Sequence, residues 1–158
     1  MSFAAQNLSG RAVKYEVYET RQVKGNDNVT EFYSYGRNGA IRKRVIFRQT
    51  EIEDVFTLGF GSVDDNGEIN DMSITNNGDT DKILATIHDI ITNYTNKYPE
   101  RLIYFEGSTP SRTRLYRKAI GLNAEQLSEE FLILGYYNDR FVLFVKNMNA
   151  SAFLIKRK

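Results

Sequence analysis

Two short stretches bring together residues able to hold an anion: Thr75–Asp81 (TNNGDTD) and Gly107–Arg112 (GSTPSR). Each joins glycine and hydroxyl residues to the expected start of a helix. The unpaired N–H groups and partial positive charge there suit a phosphate or carboxylate. The two differ in fitness. Asp79 and Asp81 repel an anion at the first, leaving Gly78 as its contribution. The second has no acid in its first turn and supplies Arg112 and Arg114, with Ser108 and Thr109 as neutral donors. Arg112 precedes Leu115 by one turn and shares the face of Leu115, Tyr116, Ala119 and Ile120, so it is expected to point inward over the end of the preceding strand. Two readings of it stay open. As a bidentate clamp it takes a phosphate or carboxylate. As a structural residue it pairs with Glu106 or covers the core with its stem.

Other chemistry has fewer residues to work with. The chain has no cysteine and one histidine, so thiolate nucleophiles, disulfides and thiolate or imidazole metal sets are excluded. Asp64-Asp65-Asn66-Gly67 is acidic, but its glycine comes too early for a helix–loop–helix calcium loop, and Thr75 stands where that loop needs glutamate. No Gly-x-Ser-x-Gly elbow is present. Tyr116 and His88 are the only catalytic candidates; the first falls on a core face and the second at the margin of an apolar stripe. Tyr33, Tyr35, Arg37, Arg42, Arg44 and Arg48 interleave rings with cations. That mix could stack bases and follow a phosphate backbone, or receive a protein.

The elements that position these residues follow from periodicity. Arg11–Thr20 alternates as a half-buried strand. Glu31–Gly36 and Ala40–Arg48 flank Arg37-Asn38-Gly39, a hairpin signal, and Lys43 shares a face with Ile41, Val45 and Phe47. Asp54–Val63 is the next strand, interrupted by Gly59-Phe60-Gly61, and Glu68–Thr75 a short one. Ile83, Leu84, Ile87, Ile90, Ile91, Tyr94 and Tyr98 mark a helix over 80–98, stopped by Pro99. Arg101–Gly107 is apolar on both sides, as a central strand is. Thr109-Pro110 caps a helix over 110–120 that is expected to end at Gly121. Phe131–Tyr137 and Arg140–Lys146 form a hairpin around Asn138-Asp139. Residues 1–10 and 151–158, the latter ending Lys156-Arg157-Lys158, are expected to be mobile.

At 158 residues, with ten Tyr, ten Phe and no segment resembling a linker, the chain reads as one α+β domain over 1–158, a mainly antiparallel twisted sheet with two principal helices. No apolar run approaches a membrane span and no signal peptide is evident, so the expectation is a soluble, bacterial-type cytoplasmic protein with no membrane partner. The net charge of +1 conceals segregation. Residues 51–100 hold eleven acids against two bases, while both flanking segments are basic. Such a pattern could pair copies into a homo-oligomer or orient an anionic small molecule or protein. It is too balanced overall for a domain dedicated to nucleic acid.

Phe105–Tyr116 reads F-x-G-S-T-x-x-R-T-R-L-Y, and with ITNNGDTDKILATI (74–87) it resembles an uncharacterised family of small bacterial proteins over about Val45–Ile120. The order from Glu68 onward (strand, glycine turn, long helix, strand, helix, two strands) is also similar to the second half of the GNAT N-acyltransferase superfold. That resemblance implies an acyl-coenzyme A pyrophosphate at the long helix's start, with Gly78 in the phosphate loop and Tyr116 as general acid. Thr75 and Thr80 stand where that loop has other residues. The leading expectation is a binding module with an anion site at the junction of strand 101–107 and helix 110–120. It requires the two helix starts to converge beside that strand's end.

Overall fold

The computed structural model describes residues 4–6, 12–14, 16–70 and 77–158. Two short strands, β1 (Ala4–Gln6) and β2 (Ala12–Lys14), pair only with each other. The expected strand over 11–20 is therefore shorter than read. Residues 16–20 are irregular, because Tyr18 is drawn into the core by an N–H bond to Thr86 and a stacked Phe32 ring.

The main sheet contains β3 (Arg21–Val23), β4 (Asn26–Gly36), β5 (Gly39–Gln49), β6 (Val55–Val63), β7 (Ile69–Asn70), β8 (Leu102–Phe105), β9 (Phe131–Tyr137), β10 (Arg140–Leu143) and β11 (Phe153–Arg157). Its order is β10-β9-β11-β8-β6-β5-β4-β3, with β7 joining β6 beside β8's end of the gap. All pairings are antiparallel except β6 with β8, so the sheet is mainly antiparallel and the fold α+β, as expected. The β4–β5 hairpin turns at Arg37-Asn38 and β9–β10 at Asn138-Asp139, the latter with φ of 52° and 64°, the mirror-image turn that matches strand twist. Residues 71–76 of the expected strand 68–75 lie outside the described residues.

Residues 153–157 are not a loose basic tail. They form β11, paired to β8 on one side and β9 on the other. Phe153 and Ile155 alternate inward, and the fully buried Phe153 stacks on Phe105. This apolar alternation outweighs the charge of Lys156 and Arg157; Arg157 reaches α1 (Thr80–Lys97) and donates to the Thr92 carbonyl and the Thr95 hydroxyl.

Three helices cover one face of the sheet. Helix α1 lays Ile87, Ile90, Ile91 and Tyr94 against it, and the Tyr94 ring stacks on Phe47 at 3.8 Å. Helix α2 (Pro110–Leu122) runs through Gly121, which was expected to cap it; the turn to α3 (Ala124–Glu130) comes at Asn123, whose side chain donates to the Ala119 carbonyl. The opposite face carries Glu31, Arg42 and Arg44 at the β4–β5 end, and a Tyr104–Phe141–Tyr136 ring cluster at the β8–β10 end.

Candidate functional site

Strands β6 and β8 run side by side for only three residue pairs, from Val55↔Leu102 to Thr57↔Tyr104. Strand β8 then ends, while β6 continues to Val63 with β7 joining it only at Ser62 and Val63. Among the described residues, 58–61 thus have no strand on that edge. Both helix starts lie above this opening, each held against a glycine. A Cβ on Gly36 would overlap the carbonyl of Asn77, which leads into α1. A Cβ on Gly107 would overlap the backbone of Arg112 and Thr113 in the first turn of α2. Any larger residue at either place would push a helix start off the sheet.

Arg112 crosses the opening. Its Nη1 donates to the Phe60 carbonyl on the exposed edge of β6 (3.2 Å), and its guanidinium carbon stands 5.7 Å from the Phe60 ring centroid. Lys43, on β5 opposite Ser62, faces the same ring from 5.7 Å and donates to the Ser62 hydroxyl (2.9 Å). Burial pushes the Lys43 ammonium below the usual lysine range. The Arg112 guanidinium pushes the same way, and the Asp79 carboxylate opposes them. The two helix starts therefore converge on one buried lysine.

The α1 start is internally satisfied. Asp79 accepts from the Tyr18 hydroxyl (2.6 Å) and the Ser34 hydroxyl (2.5 Å). Asn77 donates to Ser34 Oγ and to the Gly39 carbonyl, and accepts from the Asn38 N–H (2.6 Å). The Tyr18 hydroxyl titrates above its ordinary range, first because it is buried and then because of its bond to Asp79. At the α2 start, Thr109 acts as cap, its hydroxyl accepting from the Arg112 N–H (3.2 Å).

The remaining expected residues divide into three groups. Ser108 and Arg114 are exposed and line a shallow groove on the outer side of α2, where Arg114 donates to Ser111. Gly78, with φ of 79°, lies under the Arg37 guanidinium at the edge of the opening. Tyr116 and His88 lie deeper, in the wall of an apolar cavity of about 80 Å³ between the helices and the sheet. The Tyr116 ring packs edge-on against Phe105 and His88 edge-on against Phe131. Burial pushes the His88 imidazole down to about 4, with Arg157 adding to the effect, so it is neutral at pH 7. Glu106 does not pair with Arg112; it accepts from the Tyr104 hydroxyl (3.3 Å).

In the first hairpin, Arg42 and Arg44 both bind the buried Glu31, Arg42 with two donors. Burial alone would raise the Glu31 carboxyl, but the two guanidinium groups prevail and hold it below its ordinary range. Tyr33 and Tyr35 remain exposed.

A profile for a family of unknown function (DUF6934) matches residues 14–158. The chain belongs to that family. The match extends well beyond the segment 45–120 on which the resemblance was read, and takes in Tyr18, Lys43, Asp79, Arg112 and β11. No curated protein and no solved structure matches. Among the described residues, no group of His, Asp or Glu is placed to hold a metal ion, and no helix is long and apolar enough to cross a membrane.

Sequence reasoning missed Lys43, Asp79 and Tyr18 as members of this constellation. The signal for Lys43 was present, since a lysine on the face of Val45 and Phe47 must be buried or must reach out from beneath a neighbour. Tyr18 carried none, because its partners lie 17 to 68 residues away.

Proposed function

We propose that the protein is a binding module for a small anion, a phosphate or a carboxylate. It would be held in the opening between β6 and β8 by the Arg112 guanidinium and the Lys43 ammonium. The observation that carries this reading is the placing of both cations over one ring, each 5.7 Å from the Phe60 centroid. Two like charges so near, in surroundings drier than water, repel one another, and an anion between them converts that repulsion into attraction. Arg112 brings a planar fork suited to two parallel hydrogen bonds, and among the described residues no carboxylate forms an ion pair with it. The α2 start adds its dipole and has no acid in its first turn. The work done is recognition through charge-assisted hydrogen bonds.

Isothermal titration and thermal shift with sodium phosphate and sodium acetate, against sodium chloride at equal ionic strength, test this. The wild type should gain stability with phosphate or acetate, and Arg112→Ala or Lys43→Met should weaken binding at least tenfold. A wild type indifferent to both anions overturns the proposal.

A second reading, an acyl-coenzyme A-dependent transferase, draws support from the parallel β6/β8 pair bridged by α1, followed by α2 and the β9/β11 pair. It asks for a pyrophosphate at the α1 start, where Asp79 places a carboxylate, and for a proton donor at Tyr116, which is packed against Phe105. Coenzyme A binding much more tightly than phosphate in the same titration would favour it.

A further inference from the structure

Resting on that anion reading, we infer that the ligand is amphipathic, a carboxylate carrying an unbranched apolar tail of medium length. Its head would lie on Arg112 and Lys43 and its tail in the apolar cavity. The cation pair and the cavity share two elements. On α2, Arg112 is followed one turn later by Tyr116, which lines the cavity, an advance of about 6 Å along the helix. On β6, Phe60 beneath the cations is followed on the same face by Leu58, which also lines it, about 7 Å away. Phe105, the last residue of β8, forms the near wall at the point where β8 parts from β6. The cavity therefore begins one helical turn and one strand repeat beneath the charged mouth.

Its lining suits a hydrocarbon. Leu58, Ile87, Ile91, Ala119 and Ile133 supply aliphatic wall, and no polar atom faces the space. An apolar hollow of this kind stays dry, so a tail entering it displaces no bound water and gains contacts the empty space forfeits. A methylene fills on the order of 30 Å³, about a water molecule's share of the liquid, so about 80 Å³ holds about three carbons. With the span from the cations to the cavity, the whole ligand has about six to eight carbons.

The experiment is a titration of the whole protein with sodium acetate, butyrate, hexanoate, octanoate and dodecanoate, with inorganic phosphate alongside, each at fixed ionic strength. Affinity should tighten up to about fourfold per methylene between butyrate and octanoate, at least tenfold in total, and dodecanoate should gain nothing further. Ala119→Leu, which fills the cavity from α2, should abolish the chain-length dependence while leaving the affinity for phosphate and acetate unchanged. Equal affinity from acetate to octanoate, with phosphate still bound, overturns the tail and leaves the anion site standing. A gain that continues to dodecanoate and survives Ala119→Leu assigns the effect to the outer surface and also overturns it. Loss of all binding, phosphate included, removes the anion site itself.

Discussion

The starts of α1 and α2 lie above the same opening, yet they are built to opposite ends. At α1 the chain supplies the anion itself: Asp79 takes the hydroxyls of Tyr18 and Ser34, and Asn77 ties that cluster to the β4–β5 turn. At α2 the cap is a neutral threonine, and the charged group nearby is a cation that leaves its own helix to reach Phe60. One start is closed by internal contacts, while the other directs its charge outward. Helix geometry is common to both, so the difference lies in a few side chains, and whether a helix start receives a ligand depends on what already occupies it.

The largest expected effect breaks the closed start. Asp79→Ala orphans two hydroxyls that donate to a charged acceptor, and should lower unfolding stability by about 4 kcal/mol in urea denaturation. A loss below about 1 kcal/mol would mean that α1 is not clamped from within. The next leaves both starts intact and tests the body of α1. His88 is held to about 4 in the folded protein against 6.5 when free, so the unfolded chain binds the extra proton first as pH falls. The stability due to its neutral burial is complete above about pH 6.5 and is lost as pH falls to about 4, amounting to about 3 kcal/mol. Denaturation at pH 7 and pH 4.5 for wild type and His88→Leu should show that slope in the first and its absence in the second. The smallest effect concerns the open start. Thr109→Ala removes only the cap and should cost about 1 kcal/mol, so a loss as large as that of Asp79→Ala would erase the contrast.

Local features of this fold were legible in the residues, and distant pairings were not. The apolar stripe of α1, Pro99 at its end, the Thr109-Pro110 cap and the turn before Gly39 each depend on neighbours within a few positions, and each lies where it was expected. The inward aim of Arg112 followed from its spacing to Leu115 and Tyr116. Its partner did not, because Phe60 lies 52 residues away and a backbone carbonyl leaves no mark in a sequence. The same limit explains β11. The run Phe153–Arg157 was outweighed by its terminal charges, although Phe153 and Ile155 alternate as an inward-facing strand does. A strand's rank within a sheet is set by contacts that no local pattern encodes.

That rank has a consequence for how the molecule is made. Because β11 is inserted between β8 and β9, both of which leave the ribosome before it, two apolar backbone edges wait unpaired during synthesis until Phe153–Arg157 emerges to join them. Completion of the sheet is thus delayed to late translation, and a nascent chain stalled before that point would present these edges to chaperones, or to another unfinished copy of itself.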